Sequence, residues 1–269
     1  MSSFLLSCFF FIFLLLSIEA YRRLDLSFLS TGRKIIVSRR AMMLFIGIDV
    51  AVAVGIGYLF IYHSGPVLLE YFYGVLFYLS TVIGCLLFVP IQNVKKRIWA
   101  AVVIPAPFFV LGIFTHWQWM QNVLMAISVV WVGAFIFRKF TVSRMWFSVA
   151  LLAAMAVDAY NVFVATAPSE LFSDAQLLFN GDIIFGSAIL GIGDFFLASL
   201  IVAGVYKQFG WKRALMVAVC IAFARIVLRL LIPSLEGLVI PYYIVIVPIA
   251  LVALWLPQKH SPAVMFTTH

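Results

Sequence analysis

Residues 183–206 read IIFGSAILGIGDFFLASLIVAGVY, and Asp194 is the one charged side chain among them. A helix needs about 20 mostly apolar residues to cross the hydrocarbon core of a bilayer. The stretch therefore reads as a membrane span with a carboxylate inside it. Eight other stretches meet the same criterion: Ser3–Ala20, Ala41–Tyr62, Pro66–Pro90, Ile98–Phe114, Gln118–Phe137, Met145–Ala165, Ala214–Ile232 and Leu238–Leu256. The expected fold is an all-α polytopic membrane protein of nine transmembrane helices, with Ile183–Tyr206 as the seventh. Pro105 and Pro107 should bend the fourth. A transmembrane barrel would show alternating segments of about 10 residues, and none is visible.

Composition points the same way. Of the 269 residues, 65% are hydrophobic and 10% charged, whereas a soluble domain has about half and about a quarter. This excludes a water-soluble enzyme, a disordered chain and a nucleic-acid-binding domain. Connections are too short for a soluble domain. The chain reads as a single membrane domain, with spans one to five in residues 1–144 as a scaffold and spans six to nine in residues 145–269. The first span lacks a basic N-terminal region and precedes a strongly basic loop, so it is expected to be retained rather than cleaved as a signal peptide. Cys8, Cys85 and Cys220 lie in separate apolar stretches and form neither a disulfide framework nor a metal-ligand spacing. No Walker, HExxH or dinucleotide motif is present, and His63, His116, His260 and His269 fall in loops or tails. No metal or cofactor is expected.

The net charge of +8 has to be read loop by loop. The first loop carries Arg22, Arg23, Arg33, Lys34, Arg39 and Arg40, and the third carries Lys95, Lys96 and Arg97. Arg138, Lys139 and Arg144 lie in the fifth, Lys207, Lys212 and Arg213 in the seventh, and Lys259 in the tail. The opposite loops and helix ends hold Glu70, Glu170, Asp174, Asp182 and Glu236 and no Lys or Arg. By the positive-inside rule the N-terminus is outside and the C-terminus cytoplasmic. Arg225 and Arg229, four apart in the eighth span, are expected to snorkel or pair with an acidic residue such as Glu236. Asp49 in the second span is expected to bond to a polar neighbour or reach headgroups.

A carboxylate within a span is costly unless paired, hydrated or protonated. Asp158, in the sixth span, lies ~20 Å of helical rise from its start, and Asp194 ~17 Å from the outer end of the seventh. The two helices run in opposite directions, so both residues should lie in the central part of the membrane. Two carboxylates facing each other there would share a proton. That is what peptide hydrolysis needs: the ionised partner takes a proton from water, and the protonated one polarises the scissile carbonyl and donates toward the leaving nitrogen. Gly186, Gly191 and Gly193 strip bulk from the helix and permit close backbone approach. Asn161, about one turn from Asp158, is placed to orient it. Tyr160 is the other nearby polar side chain, but it points elsewhere on the helix.

GIGD at Gly191–Asp194, in the seventh of nine spans, resembles the GxGD motif of the presenilin and signal peptide peptidase family of intramembrane aspartyl proteases. That family pairs the motif with an Asp of the sixth span. VDAYNVF at Val157–Phe163 is similar to that segment, with Val157 in place of the usual Tyr. The family's Pro-Ala-Leu motif, at the start of the ninth span, is matched by Pro241, with Tyr242 and Tyr243 replacing Ala and Leu. The resemblance implies catalytic roles for Asp158 and Asp194, and substrate positioning by Gly191, Gly193, Pro241, Tyr242 and Tyr243. It implies hydrolysis within transmembrane helical substrates, in a lipid bilayer, without a cofactor. The orientation read from the loops matches signal peptide peptidases rather than presenilins. The expected location is a prokaryotic cell membrane.

Three other readings stay open. A prepilin-peptidase-like protease also has GxGD and an Asp pair, but its motif is typically followed by a basic residue, where this chain has Phe195 and Phe196. A proton- or cation-coupled transporter would use intramembrane Asp residues as ion sites. An inactive homologue would keep the fold alone.

Overall fold

The computed structural model describes residues 2–24, 35–36, 66–88, 91, 93–115, 118–163, 182–185, 188–231 and 242–257. The second span with Asp49, the sixth loop with Glu170 and Asp174, Gly186, Glu236, Pro241 and the C-terminal tail lie outside these residues.

The described residues are mostly helical. α1 (Ser2–Arg23), α2 (Pro66–Phe88), α7 (Arg144–Phe163) and α9 (Trp211–Leu231) follow the first, third, sixth and eighth expected spans. The fourth span bends as its prolines require, into α3 (Val94–Val103) and α4 (Ala106–Thr115). The fifth breaks at Trp131 into α5 (Gln118–Val130) and α6 (Val132–Lys139). Among the described residues, Phe4–Arg23, Gln118–Lys139 and Ile192–Phe209 are long and apolar enough to cross a membrane. Phe4, Ile12 and Leu16 are more than half exposed on α1, while Leu6, Phe10 and Leu14 are fully buried. An α-helical membrane protein has this division, with apolar side chains on the outward as well as the inward face.

The seventh span departs from expectation. Its first third is not helix but an antiparallel hairpin, β3 (Asp182–Phe185) and β4 (Ala188–Gly191), and helix α8 runs only over Ile192–Phe209. The ~17 Å of helical rise assigned above Asp194 is therefore absent, and Asp194 sits in the first turn of α8. The physical reason lies in the residues. Ile183, Ile184 and Ile189 are β-branched and favour extended backbone. A second sheet joins β1 (Ile35–Ile36) in parallel to β2 (Phe140–Thr141).

α8 is the central helix and packs against α1, α5, α6, α9 and α10 (Tyr243–Trp255), the described part of the ninth span. Phe195 is fully buried, with Phe10 and Phe13 edge-on at 4.8 Å. The approach to the fifth span is tighter still. A β-carbon on Gly133 would lie 2.3 Å from the Ser199 carbonyl oxygen. Ser199 Oγ accepts from the Gly133 N–H at 3.3 Å and donates to the Val130 carbonyl at 3.2 Å. One hydroxyl thus serves backbone groups on both sides of the break at Trp131, as a break within an apolar bundle demands. Gly133→Ala is expected to force α6 and α8 apart and to lower stability by about 1–3 kcal/mol or more, read by thermal unfolding in detergent. Ser199→Ala should cost about 1–3 kcal/mol by leaving those groups unpaired. Unchanged unfolding of both variants would contradict this packing.

Four basic side chains cap helix C-termini, whose last carbonyls lack intrahelical donors. Arg138 donates to the Leu24 and Arg22 carbonyls at the end of α1 (2.7 and 2.8 Å). Arg97 donates to Leu86 and Leu87 at the end of α2 (2.6 and 3.3 Å). Lys207 reaches the Phe140 carbonyl after α6 and Arg213 the Leu256 carbonyl after α10, each at 2.9 Å. The connection from α8 to α9 turns at Gly210 with φ +80° and ψ −177°, a positive-φ extended conformation that is essentially glycine's alone.

Candidate active site at the start of the ninth span

Asp158 lies in the C-terminal part of α7 and Asp194 in the first turn of α8. α10 packs against both helices, and its first residues carry the contacts between them. The Tyr243 backbone N–H donates to Asp158 Oδ2 at 3.0 Å. This N–H is free to do so because the opening N–H groups of a helix have no partner within it. The hydroxyl of the same residue lies against the GIGD segment: a β-carbon on Gly193 would stand 3.0 Å from it. Gly193 is thus glycine at a real close approach. Gly191 ends β4, pairs with Asp182 in the hairpin register, and caps α8 with extended backbone (φ −62°, ψ 145°).

Tyr242 is buried and donates its hydroxyl to the Ile221 carbonyl of α9 at 3.0 Å. Arg225 of α9 stands over its ring, 5.6 Å from the centroid, and both Arg225 and Asp194 are within electrostatic range of the Tyr242 hydroxyl. Around the start of α10 the structure therefore gathers Asp158, Gly193, Asp194, Tyr242, Tyr243 and Arg225. Tyr160 is exposed, in keeping with its direction on the helix. Asn161 is in the last turn of α7, and its side chain lies outside what is described, as do Pro241 and the side chain of Arg229. Among the described residues no group of His, Cys, Asp and Glu could hold a metal ion.

Three features of the site were not foreseen from sequence. Arg225 lies over the Tyr242 ring, a contact between two spans that no spacing in the sequence announces. The hairpin was read as helix. Asn122, in the fifth span, is 1% exposed and bonds the hairpin: its Nδ2 donates to the Ile184 carbonyl at 2.6 Å and its Oδ1 accepts from the Ile184 N–H at 3.0 Å. The available signal was the run Gln118, Gln121, Asn122, three amides at the end of an otherwise apolar span.

The pairing of the hairpin follows from that contact. Both backbone groups of Ile184 point toward Asn122 and away from β4, so Ile184↔Ile189 is a pair without mutual hydrogen bonds, and Ile183↔Leu190 and Phe185↔Ala188 carry the ladder. The outward groups of β4 are then those of Ile189, followed by the N–H of Gly191, whose pair with Asp182 is again unbonded. Among the described residues no hydrogen bond is made to that edge. It runs directly into Gly191–Asp194.

Compared with protein-family models and with curated proteins, the chain matches none.

Proposed function

We propose that the chain is an intramembrane aspartyl endopeptidase, with Asp158 and Asp194 as the catalytic pair. The observation that carries the reading is Tyr243, which bonds Asp158 through its N–H and packs on Gly193 through its hydroxyl. Two motifs far apart in sequence, each with one carboxylate, meet at the residue that follows the ninth-span Pro-Tyr. The α8 N-terminus adds partial positive charge beside Asp194.

In this reading one carboxylate takes a proton from the attacking water. The other, protonated, donates to the scissile carbonyl and then toward the leaving amine. A transmembrane substrate must first unwind, and its freed N–H and C=O groups need partners in a water-poor setting. The β4 edge, to which no hydrogen bond is made among the described residues, offers an N–H and a C=O at Ile189, five residues before Asp194. An extended segment added there is held by main-chain bonds, as in other strand additions.

Nine spans, an outside N-terminus and a cytoplasmic C-terminus complete the proposal, in the arrangement of signal peptide peptidases. The capping of α1, α2, α6 and α10 supports it, since those basic side chains sit where spans one, three, five and nine end. Cysteine labelling tests the topology. In a background without Cys8, Cys85 and Cys220, Ser27→Cys in the first loop and Ser173→Cys in the sixth should react with an impermeant maleimide from opposite sides. Reaction of both from one side would contradict it.

A further inference from the structure

We propose that Asn122 is a positioning residue that closes the β3 edge of the hairpin and so directs an extended peptide to β4. The inference rests on the protease reading for its purpose, and on geometry for its substance. A two-stranded hairpin has two edges, and either can accept another strand. Asn122 makes to Ile184 the pair of bonds that a neighbouring strand residue would make, donating to its carbonyl and accepting from its N–H. Only one orientation of the amide gives both bonds. Gln118 Nε2 donates to the same Oδ1 at 3.4 Å. The side chains on either side of Ile184, Ile183 and Phe185, are buried, and the Phe185 ring meets Phe9 at a tilt and Trp119 edge-on. The β3 edge is thereby filled by protein.

The two edges are not equivalent for chemistry. β4 continues into Gly191–Asp194, whereas a peptide paired to β3 would lie on the far side of the hairpin, three strand spacings or about 14 Å from one paired to β4. A displacement of that size takes a scissile bond out of reach of both carboxylates. A free β3 edge would therefore hold peptide unproductively, or in a second register.

The test uses the purified full chain in detergent and a hydrophobic peptide carrying a hydroxyethylene isostere. Amide hydrogen exchange is followed at Ile184 and Ile189. In the parent protein Ile184 should be protected with or without the peptide, and Ile189 only with it. In Asn122→Ala the Ile184 amide should exchange at least about tenfold faster without peptide and become protected by it. Cleavage of a transmembrane substrate should then spread over more positions, with kcat falling more than KM changes. Loss of stability alone would not alter the positions. If Asn122→Ala does not fold, Asn122→Gln keeps a donor and an acceptor on a longer stem and should show the same changes in weaker form. Parent-like exchange at Ile184 in the variants, or peptide protection of Ile184 instead of Ile189 in the parent, or unchanged cleavage positions once Ile184 exchanges freely, would overturn the proposal. A parent protein that cleaves nothing would defeat the protease reading, while the exchange data would still decide whether Asn122 closes one edge.

Discussion

Asp158→Asn and Asp194→Asn are each expected to reduce turnover of a transmembrane substrate by at least about 10²-fold, because a positioned acid or base contributes about that much or more. The fold should survive. At position 158 an Asn side chain still offers an oxygen to the Tyr243 N–H, so the contact that ties α10 to α7 is retained. At position 194 the residue lies in the first turn of α8, where an uncharged amide is accommodated. What the substitution removes is the capacity to exchange a proton. The double variant should be no worse than either single one, since the two groups act as one unit. The parent's pH profile should be a bell whose two limits belong to the pair rather than to either residue. Near-parent proteolysis by either variant, with unfolding unchanged, would exclude the mechanism.

Gly193→Ala should lower turnover about a hundredfold while leaving the protein folded. Its new β-carbon meets the Tyr243 hydroxyl at 3.0 Å. The end of a tyrosine side chain can give way, so the packing cost is small. The movement, however, is passed to the residue whose N–H holds Asp158, and misplacement of a reacting group by about 1 Å can cost about 10²-fold. Tyr243→Leu removes the hydroxyl and shortens the side chain. In the double variant Gly193→Ala/Tyr243→Leu the loss should therefore be largely recovered, giving a coupling energy well above zero in a double-mutant cycle. Tyr243→Leu alone, which restores the family's residue, should widen the range of substrates cleaved. Strictly additive effects would mean that Tyr243 does not transmit the position of Gly193 to Asp158.

Much of this was legible in the sequence, for identifiable reasons. Spans one, three, six and eight appear as helices because length and uniform apolarity need no partner to be read. The bend of the fourth was announced by Pro105 and Pro107. The two carboxylates stand out in the sequence because an ionisable group in an apolar span is expensive wherever it occurs. The hairpin was not found because an apolar run such as IIFGSAIL has no periodicity that separates a short buried strand from a helix. The Ile-rich flanks of Gly186–Ser187 were the better guide. The break at Trp131 went unread for a different reason: its backbone groups are satisfied by Ser199, from another span. Tyr243 with Asp158, Arg225 with Tyr242 and Asn122 with Ile184 are likewise contacts between distant segments, and a single sequence carries no pairing information.

The most direct measurement places the purified protein in liposomes with a single-span helical substrate in oxygen-18 water and analyses the products by mass spectrometry. A pair of fragments from within the span is expected. The new carboxyl terminus should carry one solvent oxygen, and formation should be blocked by a hydroxyethylene isostere and lost in Asp158→Asn and Asp194→Asn. Intact substrate, together with a proton or cation flux across the liposome that requires both Asp residues, would contradict it and make the chain a transporter.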